Sequence, residues 1–214
     1  MAMKLYTYYR SQASFRVRIA LNLKGLKRED TFLHLERGDQ FKPEYQKLNP
    51  QAVVPTLYDG DVKLFQSFAI LEYLEETHPN PPLLPKGAAA RAWVRGFALI
   101  NVADSHPLIV PRIRNYLTQT LKASDAQRLA WIQHWLGLGL RAMETLLAEH
   151  KESGKFCHGD APTFADICLV TQVFPATMFK VDLAPYQRVM RIYETCMAIP
   201  AFAQASPPKQ PDAE

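Results

Sequence analysis

Three short segments carry residues whose types and placement suit the capture of an anionic, peptide-like ligand. The first is Arg10-Ser11-Gln12-Ala13-Ser14, between an aromatic run and an apolar run of helical period. A helix that starts there offers free N–H groups and the positive end of its dipole, the setting that stabilises a thiolate. The segment holds no cysteine, so dithiol exchange by its own residues is excluded. A thiolate must come with a ligand and take hydrogen bonds from the Ser11 hydroxyl and nearby N–H groups. Taken alone, Ser11 or Ser14 is better explained as a plain N-cap. The second segment is Val54-Pro55, at the start of a strand-like run. An edge strand tolerates such a proline; the functional alternative is a cis bond that turns the Val54 backbone toward an extended ligand. The third is Gln66-Ser67, opening a helix whose first N–H groups suit a carboxylate, or again a plain cap.

Each segment is weak evidence alone. In this order they provide a thiolate site, a backbone site and a carboxylate site, and glutathione carries those groups in that sequence. The elements that must hold them follow from periodicity. Leu5–Tyr9 reads as a strand, Ser14–Lys24 as a helix closed by Gly25, and Thr31–Leu35 as a second strand. After a polar stretch with a short helix, Val54–Tyr58 and Val62–Phe65 flank Asp59-Gly60 as a hairpin, and Phe68–His78 is an amphipathic helix. Strand-helix-strand followed by strand-strand-helix is the order of a thioredoxin-like α/β domain, placed at residues 1–82. Four prolines between Pro79 and Pro85 then mark a linker. Ala88–Lys122, Asp125–Lys151, Phe164–Lys180 and Tyr186–Ala198 all show helical period, so residues 88–214 are expected to be all-α. Ser206–Glu214, with three prolines, is expected to trail over the surface.

Composition bounds the partners. The net charge is +4 with no dominant basic run, which argues against nucleic acid and fits a small anionic substrate. Cys157, Cys168 and Cys196 are odd in number and form no CxxC, so a reducing, cytoplasmic setting is expected. No signal peptide is read at the N-terminus, and no apolar stretch is long enough for a membrane span. Cys157, His158 and Asp160 sit close together but match no zinc spacing, so no metal is expected. Cys168 reads as core.

The segments above, with Phe15 to Leu21, Leu48-Asn49-Pro50, Thr56-Leu57, Leu71 to Glu76, Gly159-Asp160, Thr163 to Asp166 and Phe179 to Leu183, resemble the zeta class of glutathione transferases nearly end to end. That class includes maleylacetoacetate and maleylpyruvate isomerases. The resemblance implies glutathione as cofactor, a homodimer, and cis–trans isomerisation of a conjugated keto diacid. It implies that Ser11 contacts the sulfur, Val54 beside Pro55 pairs with the cysteinyl backbone, Gln66 and Ser67 hold the γ-glutamyl end, and Gln40 lies beside the tripeptide. Thr163 and Asp166 match a buried capping box and are structural. Arg10 is the first candidate for a substrate carboxylate or enolate, against a solvated surface arginine. His106, before Pro107, and Arg112 are candidates for the substrate cleft, against plain packing or surface roles. Arg16 and Arg18, deeper in the first helix, are read as structural. Two positions depart from the family: Ala13 stands where a cysteine is frequent, and Met178 where bacterial maleylpyruvate isomerases have an arginine. Two other functions stay open: a general glutathione transferase or α-haloacid dehalogenase, and a non-catalytic transferase-like interaction module.

Overall fold

The computed structural model describes residues 3–214, which divide into two compact units. The first runs through Pro82 and takes in Ile199–Glu214; the second is Leu83–Ala198.

In the first unit, β1 (Met3–Thr7) buries Met3, Leu5 and Thr7 and turns Lys4 outward, the period of a half-buried strand. α1 (Gln12–Leu23) is buried along nearly its whole length, because it packs against α3 (Ser67–Thr77) and α9 (Pro200–Ala205). It ends as the sequence predicts. Gly25 takes φ +65°, a conformation that favours glycine, while Leu26 N–H bonds Leu21 O at 2.9 Å. β2 (Arg28–Phe32) then runs parallel to β1, with Met3 opposite Arg28 and Thr7 opposite Phe32.

Both strands lie earlier than their apolar residues suggest. Tyr8 already belongs to the turn into α1, its carbonyl accepting Ser11 N–H at 3.1 Å. On β2 the polar start is accommodated at a sheet edge, where Arg28 pairs with Asp30 at 2.9 Å. His34 has left the strand, and its ring caps the short turn Leu35–Arg37.

A short α2 (Pro43–Leu48) leads to β3 (Thr56–Asp59) and β4 (Val62–Phe65), an antiparallel hairpin closed by Gly60-Asp61 with Gly60 at φ +57°. The sheet order is β2-β1-β3-β4, with β1 and β3 antiparallel. This is the thioredoxin-like architecture.

The second unit is helical: α4 (Ala88–Leu99), α5 (Pro111–Gln119), α6 (Asp125–Glu149), α7 (Phe164–Met178) and α8 (Gln187–Met197). The run Ala88–Lys122 is not one helix. After α4 the chain makes a π-helical turn, Ile100–Ser105, then a 3-10 turn, His106–Leu108. Pro107 and Pro111 remove helix donors there. The π turn is held by buried Asn101, which donates to Gln172 on α7, and it lies so close to α6 that a Cβ at Gly139 would collide with Ser105 Oγ.

The C-terminal segment corrects the sequence reading twice. Ile199–Glu214 groups with the first unit rather than with the preceding helices. Nor does Ser206–Glu214 trail: Gln210 is buried, donating to Gln204 O and Ser206 O, and Asp212 Oδ2 accepts Tyr9 N–H at 2.9 Å. Prolines set a tight path here instead of an extended one. Among the described residues no helix is long and apolar enough to cross a membrane.

Candidate active site

Strand register alone brings the three ligand segments to one end of the sheet. Tyr6 on β1 faces Thr56 on β3, and Thr56 faces Phe65 on β4. Ser11 follows β1, Val54-Pro55 precedes β3 and Gln66-Ser67 follows β4, so all three leave the sheet at the same edge.

Ser11 is the N-cap of α1, with an extended backbone and its Oγ accepting Ser14 N–H at 3.2 Å. The capping role is therefore real. It uses the oxygen as acceptor and leaves the O–H free to donate. No acidic residue occupies the first turn of α1 or of α3, so both dipole ends remain positive toward a ligand. Ala13, on the first turn of α1, is buried.

The Val54–Pro55 bond is cis, as the functional alternative required. Val54 is buried against Tyr8 and Tyr45, with Leu35 and Leu48 packed on the cluster. Sequence reasoning missed what fixes this segment. Tyr45 Oη donates to Val53 O at 2.7 Å and meets Thr56 Oγ1 at 2.9 Å. Asn49 Nδ2 donates to the same two atoms at 2.9 and 3.2 Å. The signal was present in Leu48-Asn49-Pro50, which nothing in its local pattern ties to Val54.

Gln66, the N-cap of α3, sits at φ +67°, ψ 113°, an unusual backbone for a residue with a side chain. Such strain persists where surrounding structure imposes it, and it gathers at ligand sites. The Gln66 side chain donates to Gln51 Oε1 at 2.8 Å. Ser67, 3% exposed, accepts Arg16 Nε–H at 3.0 Å. Gln40 is also buried; its Nε2 donates to Leu35 O at 3.1 Å, and its Oε1 has no partner. That leaves one buried acceptor for a donor from outside the chain.

Arg10 lies one residue before Ser11, and its Nη1 is 2.9 Å from Glu36 Oε1, both side chains partly exposed. The Tyr8 hydroxyl is buried, and burial first, then Glu36, raises its pKa, so it stays protonated. Arg18 is structural as read. Fully buried, it donates to Ala205 O, Thr7 Oγ1, Tyr8 O and Tyr9 O, tying the chain before Arg10 to the C-terminal segment. Burial, then Arg28, lowers its pKa to about 9, which leaves it a cation at neutral pH.

In the second unit, His106 lies half-buried in the 3-10 turn and Arg112 is exposed in the first turn of α5. Met178 is the exposed last residue of α7. The Thr163–Asp166 box is as expected: Asp166 Oδ2 accepts Thr163 N–H and O–H at 2.7 and 2.9 Å, and its Oδ1 accepts Cys157 N–H at 2.8 Å. Cys168 is core. His158 meets His150 across 2.9 Å, and among the described residues no three His, Cys, Asp or Glu side chains gather as metal ligands.

Residues 1–76 match the family model of the glutathione S-transferase N-terminal domain. The chain is 43% identical to a probable maleylacetoacetate isomerase of Vibrio cholerae, over 100% of this chain and 99% of that protein. A holo structure of maleylpyruvate isomerase, a bacterial zeta-class glutathione S-transferase, superposes with a TM-score of 0.97 at 44% identity, covering 99% of this chain and 100% of that one. Maleylacetoacetate isomerase from Methylobacterium extorquens, with bound malonate and glutathione, gives 0.96 at 45% identity, covering 99% of each.

Proposed function

The chain belongs to the zeta class of glutathione transferases, the family of its maleylacetoacetate and maleylpyruvate isomerase relatives, and on that premise we propose that it is a glutathione-dependent cis–trans isomerase of maleylacetoacetate or maleylpyruvate. The observation that supports the reading is the shared end of the sheet: Ser11, Val54-Pro55 and Gln66-Ser67 adjoin the same end of β1, β3 and β4.

The donor set fits glutathione. The free Ser11 O–H and the first N–H groups of α1 suit its thiolate, Val54 its cysteinyl backbone, and the α3 start with Gln66 and Ser67 its γ-glutamyl carboxylate. The orphan Gln40 Oε1 suits one of its N–H groups. Bound glutathione supplies the thiolate that adds to the cis double bond and leaves once the carbon–carbon bond has turned. Ser11 lowers the thiol pKa by donating to the anion, which raises the nucleophile's abundance at neutral pH. Arg10 binds a substrate carboxylate or the enolate oxygen, exchanging its contact with Glu36 for the substrate's anion. Within the first unit, Arg10 is the cation offered to a substrate carboxylate.

The same reading includes a homodimer and a cytoplasmic setting. Phe65 on edge strand β4 is 53% exposed, an apolar side chain at an open sheet edge suited to a second copy, and three buried free cysteines suit a reducing compartment. The test is direct. Purified protein is given maleylpyruvate and maleylacetoacetate with and without glutathione, and loss of the cis isomer is followed by absorbance. Turnover of at least one diacid only when glutathione is present is expected; no turnover of either defeats the proposal.

A further inference from the structure

Arg16 and Arg18 lie two residues apart on α1, both without appreciable exposure, yet they do different things. Arg18 donates mainly to backbone carbonyls and braces the fold. Arg16 reaches from α1 to the start of α3 and places Nε 3.0 Å from Ser67 Oγ. A serine hydroxyl has one hydrogen to donate and accepts through its lone pairs. With Arg16 donating, the Ser67 oxygen serves as an acceptor on the protein side, which leaves its hydrogen for another acceptor.

We propose that Arg16 is a positioning residue of the carboxylate subsite, holding Ser67 so that its O–H is committed to the γ-glutamyl carboxylate of the ligand. The inference rests on the reading above that Ser67 binds that carboxylate. Charge supports it. A guanidinium is a permanent cation, and α3 already presents its positive dipole end at Ser67 with no acidic side chain in its first turn. A cation fixed beside a helix N-terminus opposes folding there and favours an incoming anion. Burial strengthens the effect, because no water screens the charge from the hydroxyl it polarises. Arg16 acts through Ser67 and is given no contact with the reacting atoms.

The experiment measures dissociation constants by calorimetry for glutathione and for its decarboxy analogue, 4-aminobutyryl-cysteinyl-glycine. The proteins are wild type, Arg16→Lys, Arg16→Met, Ser67→Ala and Arg16→Lys/Ser67→Ala. Wild type is expected to prefer glutathione. Each Arg16 variant should weaken glutathione binding about tenfold, the scale of one charge-assisted hydrogen bond, and leave the decarboxy analogue unchanged. The double variant should be no weaker than Ser67→Ala alone, because the two act as one unit. Arg16→Lys keeps a buried cation and carries the test where Arg16→Met fails to fold. Equal loss for both peptides, or losses that add in the double variant, would mean that Arg16 only supports the fold and would overturn the proposal. A wild-type glutathione preference in Ser67→Ala would overturn the Ser67 assignment and the inference with it, whereas a loss in Ser67→Ala with none in the Arg16 variants would overturn the inference alone.

Discussion

Lys24 Nζ lies 2.9 Å from Glu75 Oε2, and the two side chains are 0% and 7% exposed. The same ammonium donates to His78 O at 2.7 Å and Pro81 O at 3.0 Å. One cation thus joins the end of α1, the end of α3 and the segment that leaves the first unit. Breaking such a pair costs more than the pair contributes, because Glu75 stays buried after losing the cation beside it. Lys24→Met is expected to lower stability by about 3–5 kcal/mol. Lys24→Met/Glu75→Leu should recover part of that loss. Urea midpoints at unchanged slope provide the measurement; a double variant less stable than Lys24→Met would contradict the account.

Asn49 and Tyr45 hold both sides of Val54-Pro55 through the same two atoms, Val53 O and Thr56 Oγ1. Asn49→Ala removes one of the two braces and leaves the other. Glutathione affinity is expected to fall about 5–30-fold, the effect of one or two buried hydrogen bonds acting on a binding backbone. Calorimetric titration reads it. An unchanged affinity would show that Tyr45 alone suffices.

What the sequence reveals here follows from the range of each interaction. Helix α6 opens with Ser124 and Gln127 in a capping box and keeps its period to Glu149, so its expected start is right. The Ser11, Val54-Pro55 and Gln66-Ser67 segments were legible because each sits at an element start with its own local signature. Their convergence needed only the strand order. Long-range side-chain partners were not legible. Nothing near Arg16 points to Ser67, and nothing near Asp212 points to Tyr9. The π turn at Ile100–Ser105 was hidden for the same reason, since its cause lies at Gly139 and Gln172 on other helices. The proline-rich end misled because proline restricts the backbone without saying whether the result packs or trails.

Ser11 caps α1 and carries the hydroxyl proposed for the thiolate, and two readouts on one variant tell these apart. Ser11→Ala removes the N-cap of α1, at a cost of about 1 kcal/mol in stability. It also removes the O–H proposed for the thiolate. The thiol pKa of bound glutathione should then rise, seen as less thiolate absorbance near neutral pH, and kcat should fall about 100-fold. A drop in melting temperature with normal kcat and normal thiolate absorbance would leave Ser11 as a cap alone.

His150 Nε2 lies 2.9 Å from His158 Nδ1, and the His150 ring stacks on Trp93 at 3.5 Å and 8°. Burial, more than the neighbouring His158, lowers the His150 pKa, while Glu152 at 3.5 Å opposes the shift. The sign of its effect on stability follows by linkage. Below about pH 6.5 the unfolded chain takes up a proton on this residue that the folded chain resists, so stability is full above that value and declines as pH falls toward the lowered folded pKa. Thermal unfolding between pH 8 and pH 5 should therefore show a falling melting temperature. His150→Phe keeps an aromatic ring against Trp93 and cannot titrate, so it should flatten that slope. A slope equal to wild type in His150→Phe would place the pH sensitivity in other groups.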